Sequence, residues 1–416
     1  MANYLDYQKA MGLNWIHASG YADDISQSSS YFKGSGVTIG IIDNGIQSGH
    51  SDIVSNFAGR FHDANISGDN GSILSASDYG FHGTHVAGIT AGAGANEIYG
   101  VAPLAKLYDM PMFPPSPYHF SVAGELSKFK SSIDFAINNN IKVLNCSFKL
   151  FQADTVNNPS IISGIRQSII NAYNNNIVIC VAASNENSEQ EYTPEQGDFS
   201  TDIGTALDVR EYVLTVVALE EIDVYAATRF SERNLSFSEG VERASFSNYG
   251  RKRLGRNGIS APGSSIYSSV PTNSYDFYDG TSMASPFIAG LAAMVIGFLI
   301  KAEIPVVAQE VFKIIKACVF HLNQGTNPVN DSSNIVYTSG WSENKIYIKG
   351  WNKYTGFGFT NFELISRVLM KIKSGGEAFT KQNLPVGKRG ISTLPAGWPD
   401  IGPPPFTRPV TDSDFN

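Results

Sequence analysis

Cysteine is scarce in this chain of 416 residues: Cys146, Cys180 and Cys318 are far apart and odd in number. A core built from 42% hydrophobic residues needs no disulfide staples. Cys146 and Cys180 lie in apolar runs and read as buried core thiols rather than nucleophiles, bridges or metal ligands, a usage that fits a reducing compartment. There is no excess of base either. A net charge of −8 argues against a nucleic-acid partner, which would call for a basic patch. The most apolar stretch, residues 287–300, is too short for a membrane span. The N-terminus lacks a basic segment followed by an apolar one, so no secretory signal is visible. The expected location is cytoplasmic if the chain is full-length, which Met1 favours, and secreted if it is a mature form. No internal repeat appears.

Strands and helices alternate through most of the sequence. Residues 37–42, 141–146 and 177–182 are short β-branched apolar runs, as in strands buried on both faces of a parallel sheet. Helical periodicity fills residues 131–138 and 161–174, and each segment ends in an Asn triplet suited to a C-terminal cap. The fold class is therefore α/β, a doubly wound and mostly parallel central sheet flanked by helices, with ligands bound beyond the strands' carboxyl ends. Asp43, Ser147 and Asn185 each follow such a strand. Residues 186–212 are acidic and polar and read as a long surface loop. The division expected is a catalytic domain with an N-terminal arm over residues 1–375 and a tail over 376–416. Seven of the nineteen prolines fall in that tail, which reads as extended or disordered.

Three blocks carry the chemistry. Asp43 lies in Ile41-Ile42-Asp43-Asn44-Gly45-Ile46, His82 in His82-Gly83-Thr84-His85-Val86-Ala87-Gly88, and Ser282 in Gly280-Thr281-Ser282-Met283-Ala284-Ser285-Pro286. Taken singly, Asp43 reads as a turn at a strand end and Ser282 as a helix N-cap. His85 stands three residues after His82, and the block lacks the Glu and the i to i+4 spacing of a zinc protease. It reads as a packed or hydrogen-bonded histidine. Pro286 is expected in the first turn of its helix, where a missing N–H costs little. A nucleophile, a base to take its proton and an acid to orient the base make a unit for acyl transfer.

In that chain order the blocks resemble the signatures of the subtilisin-like serine proteases, and the resemblance covers about residues 33–368. It implies that Ser282 attacks, His82 shuttles the proton and Asp43 orients it. Ala182-Ala183-Ser184-Asn185 resembles the family's Ala-Ala-Gly-Asn block, which makes Asn185 an oxyanion donor. Ser147, Phe148, Lys149, Ala183 and Ser184 would line the substrate groove, with Lys149 and Ser184 standing where the family has glycine. Asp52 matches a calcium ligand of many family members. The loop that would complete such a site offers only Asn96, Glu97 and backbone carbonyls, whereas calcium takes six to eight oxygens. A structural calcium thus stays open, and no cofactor is required for the chemistry.

These observations imply a serine endopeptidase acting on a polypeptide. Two alternatives are a dedicated peptide-maturation protease or transpeptidase, and a silent binding protein on a protease fold. Almost no room precedes Asp43 for the pro-region common in secreted members, so a pro-region or inhibitor supplied in trans stays open. Glu186 and the acids after it could attract a basic residue just before the scissile bond, although a solvated acidic loop is the plainer reading.

Overall fold

The computed structural model describes residues 32–69, 81–113, 120–189, 200–221, 241–250, 257–320 and 354–360, with residues 365, 368, 369, 372 and 373. The N-terminal arm, the tail 376–416, and Glu191, Glu195 and Asp198 of the acidic loop lie outside the described residues.

The aliphatic runs become the centre of a ten-stranded sheet. Seven strands run parallel, in the spatial order β2 (Phe57–Arg60), β3 (Lys106–Pro111), β1 (Thr38–Asp43), β4 (Val143–Cys146), β6 (Val178–Ala182), β8 (Leu214–Glu221) and β10 (Gly258–Pro262). Short β14 (Phe359–Thr360) and β13 (Val319–Phe320) extend the β10 edge, and β9 (Val241–Arg243) pairs with β8. Outside this sheet, β5 (Leu150–Phe151) pairs with β7 (Ser200–Thr201), and β11 (Ile266–Val270) with β12 (Ser274–Tyr278). Strand order reverses about β1, and a crevice opens at such a reversal beyond the strands' carboxyl ends. Asp43 ends β1, Ser147 follows β4, and Asn185 lies three residues past β6.

Helices cover both faces. They are α1 (Phe81–Ala91), α2 (Val122–Asn138), α3 (Gln152–Asn157), α4 (Pro159–Asn174), α5 (Ile203–Ala206), α6 (Thr281–Lys301) and α7 (Ala308–Ala317). One core gathers α1, α6 and α7 through Val86, Leu291 and Ile315. The other gathers α2 and α4 through Phe129, Ile133 and Ile165. Each such buried side chain contributes on the order of 2 kcal/mol. The Asn triplets do their expected work: Asn140 and Asn176 take the left-handed φ values of 55° and 61° that turn the chain into β4 and β6.

Three expectations need correction. Residues 186–212 are not simply a surface loop. Asp202 caps α5 by accepting from the Thr205 N–H, and Ile203, Leu207 and Val209 are buried, so this segment carries its own piece of core. The apolar stretch at 287–300 belongs to a longer helix: α6 has 21 residues and is apolar enough to cross a bilayer by length and composition, but 94% of its most apolar window is buried inside the protein. Lastly, α6 begins at Thr281, so Pro286 lies inside the helix rather than in its first turn. The amide donor it lacks would have bonded the Ser282 carbonyl. That carbonyl instead accepts from the Ser147 hydroxyl at 3.0 Å.

Candidate active site

Asp43 is buried at the end of β1, where a bare carboxylate would be costly. Its Oδ1 accepts from the Asn44 N–H at 2.8 Å, and both oxygens face Nδ1 of His82, at 2.8 and 3.0 Å. His82 reaches this position because α1 packs tightly on the turn after β1. A Cβ on Gly83 would collide with the Gly45 carbonyl, and the Gly83 N–H donates to Asn44 Oδ1 at 2.8 Å. Burial lowers the proton affinity of His82, but the charge and hydrogen bond of Asp43 outweigh it and leave the pKa above its ordinary value. With Nδ1–H held by Asp43, Nε2 is the nitrogen free to take a proton.

Ser282 occupies the first turn of α6, where its N–H has no acceptor within the helix. Its hydroxyl donates to the Ser147 carbonyl at 3.0 Å rather than to His82. A buried chain of bonds ties this helix start to the end of β4: Ser285 Oγ to Asn145 Oδ1 (2.8 Å), Asn145 Nδ2 to Ser147 Oγ (2.9 Å), and Ser147 Oγ to the Ser282 carbonyl. Asn185 lines the same cleft as Ser282. Its Oδ1 accepts from both the N–H (2.9 Å) and the hydroxyl (2.8 Å) of Thr281, so Nδ2 is the end left for a ligand.

The cleft is lined by residues 147–149, which follow β4, and by Ala182, Ser184 and Asn185 at the end of β6 and just past it. Ser147, Phe148, Lys149 and Ser184 line it, whereas Ala183 is fully buried behind it in the core. Ser184 adopts φ +78°, a left-handed conformation that glycine takes without strain. Lys149 bonds Glu186 Oε1 at 2.8 Å, Asn248 Nδ2 bonds the other oxygen at 2.6 Å, and Ser184 Oγ lies 3.4 Å from Oε1. Burial raises the Glu186 pKa, but these partners together hold it below the ordinary carboxylate value. Glu186 is thus already paired with a cation, which weakens its case as an attractor of basic substrate residues.

Asp52 sits away from the cleft. Its Oδ1 accepts from the Asn96 N–H (2.6 Å), and its Oδ2 from the N–H groups of Glu97 and Ile98 (both 3.1 Å) and the Tyr275 hydroxyl (2.7 Å). The side chains expected to join it turn elsewhere: Asn96 Nδ2 to Tyr275, and Glu97 Oε2 to the Tyr267 hydroxyl. A carboxylate ringed by donors does not fit a calcium ion, which needs converging oxygens with free lone pairs. Among the described residues, no group of three or more His, Cys, Asp or Glu could hold a metal.

Thr281, Asn44 and Asn248 went unnoticed in the sequence. Thr281 and Asn44 each adjoin a signature residue, and that adjacency was the available signal. Asn248 offers none.

Comparison with known proteins identifies the family. A family model, the subtilase family, matches residues 34–311. Subtilisin DY of Bacillus licheniformis is 32% identical over 266 residues, covering 64% of this chain and 78% of that protein. Subtilisin E of Bacillus subtilis (strain 168) is 30% identical over 270 residues, which is 64% of this chain but only 56% of that longer relative. The solved structure of the PatG macrocyclase domain superposes with a TM-score of 0.58 at 18% identity, over 88% of this chain and 97% of that one, a likeness of fold alone.

Proposed function

The chain belongs to the subtilase family of serine proteases, and we propose that it is an endopeptidase working through an acyl-enzyme, with Asp43, His82 and Ser282 as its catalytic triad and Asn185 as an oxyanion donor. The observation that carries this reading is the bond of His82 Nδ1 to both Asp43 oxygens, at 2.8 and 3.0 Å, in a chain whose Ser282 and Asn185 share one cleft. In this reading the Ser282 hydroxyl leaves the Ser147 carbonyl it bonds at rest and gives its proton to His82 Nε2. Oγ attacks the scissile carbonyl as that proton passes to His82, whose positive charge Asp43 stabilises. Asn185 Nδ2 and the Ser282 N–H receive the oxyanion. As the C–N bond breaks, His82 protonates the leaving amine. A water molecule then repeats the sequence on the ester and frees Ser282. We propose that no metal takes part.

Ser282→Ala should abolish hydrolysis and labelling by a fluorophosphonate while leaving the fold intact; a labelled variant would overturn the assignment. Asn185→Leu should lower kcat roughly a hundredfold or more with little change in KM. A dedicated maturation protease is the second reading, favoured by the Lys149–Glu186 pair on walls where the family has glycine. Mass spectrometry of products separates them: one cleavage site across unrelated peptides favours maturation, and many favour a general endopeptidase.

A further inference from the structure

The cleft extends well beyond the nucleophile. Its cavity of about 490 Å³ is lined by Ser282 and Asn185, and also by Glu125 of α2 and Asp154 of α3. Between them the wall is mainly apolar, with Phe148, Leu126, Val122 and Phe151. Two of these, Val122 and Phe151, are exposed large hydrophobic side chains.

The charges in this space are unevenly matched. Lys149 also lines it, but its ammonium is engaged with Glu186 at 2.8 Å. Glu125 and Asp154 are half-buried, and among the described residues neither carboxylate has a hydrogen-bond or ion-pair partner. Burial, and then the negative charge of Asp154, raise the Glu125 pKa above its ordinary value. Two like charges carried on separate helices thus line one mainly apolar cavity, and the cation among its described lining residues, Lys149, is engaged by Glu186. The charge of Asp154 disfavours that of Glu125, and a cation between them would be attracted by both.

We propose that this end of the cleft receives a basic side chain of the substrate, Lys or Arg, on the acyl side of the scissile bond, with Glu125 and Asp154 as its specificity determinants. The apolar wall suits the methylene stem of such a side chain while the carboxylates meet its charged head. We assign it to the acyl side as part of the same proposal, because the cavity includes Ser147, Phe148, Lys149 and Ser184, the residues that the family resemblance places along the substrate groove. This inference rests on the serine protease reading above.

The test uses the full chain and matched peptides carrying Lys, Arg or norleucine singly at each acyl-side position. At one position a basic residue should raise kcat/KM roughly five- to tenfold over norleucine at low salt, an advantage that shrinks at about 0.5 M salt because the pairing is only partly shielded from water. In a variant carrying Glu125→Gln and Asp154→Asn that ratio should fall close to one, and each single substitution should remove part of it. Melting curves of all three variants establish that they fold. The inference is overturned if norleucine matches or beats the basic residues at every position, or if a basic preference survives the double substitution. A chain that cleaves no peptide and takes no fluorophosphonate would instead sink the protease reading.

Discussion

Thr281 shows how a single side chain can support the chemistry without touching it. Its hydroxyl donates to Asn185 Oδ1 and accepts from the Ser184 N–H at 3.0 Å, which fixes both the amide orientation and the strained residue before it. Thr281→Val keeps the β-branched shape and loses the bond. It should reduce kcat roughly tenfold with little effect on KM, because a mobile Asn185 would be felt chiefly in the transition state. A change confined to KM in steady-state kinetics would show that Thr281 serves substrate binding instead. Asp43, His82 and Ser282 stood out in the sequence through the joint resemblance of their three blocks to one family's signatures; a strand end or a helix start alone would not have marked them. The supporting contacts did not stand out, because they join distant positions: Thr281 to Asn185 across 96 residues, Asn248 to Glu186 across 62, and Asn44 to Gly83 across 39. Local propensity carries no record of such partners.

Among the elements, α1 carries a second histidine with a different fate. His85 is buried against the β11–β12 hairpin, where Nε2–H is shared between the carbonyls of Ile266 (3.0 Å) and Asp276 (3.1 Å) and the ring stacks on Tyr278 with centroids 4.4 Å apart. Burial is the main cause that pulls its pKa to about 4. The folded protein therefore keeps His85 neutral in a range where the unfolded chain, at the ordinary value of about 6.5, takes up a proton. Stability is unaffected by this group above that value and declines as the pH falls towards 4, by about 3 kcal/mol in full. Urea titrations between pH 7 and 4 should record that decline, and His85→Gln, which can still donate to a carbonyl, should flatten it. An unchanged slope in the variant would place the acid sensitivity elsewhere. The sequence placed His85 as a packed histidine but not its partners, because Ile266 and Asp276 lie 181 and 191 residues away.

For the whole molecule, the donor-lined Asp52 cradle bears on stability. If no calcium is held there, neither EDTA nor excess calcium should move the melting temperature, since only a ligand that favours the folded state can raise it. A rise with calcium, reversed by the chelator, would restore the metal. At this scale the parallel sheet was legible from its continuous apolar runs, which suit only strands covered on both faces. The core within residues 186–212 was not, because Ile203, Leu207 and Val209 are diluted by acidic and polar neighbours. The buried helix α6 has one more consequence, for timing. It packs on β1, β4, β6, β8 and β10 and also carries Ser282, so one late segment both completes a core and delivers the proposed nucleophile. Synthesis runs from the N-terminus, and the earlier strands must wait with one apolar face uncovered until that segment emerges. On the proposed mechanism, peptide-bond cleavage and a finished fold therefore arrive together, and a chain interrupted before residue 281 should lack both the nucleophile and the cover for that apolar face.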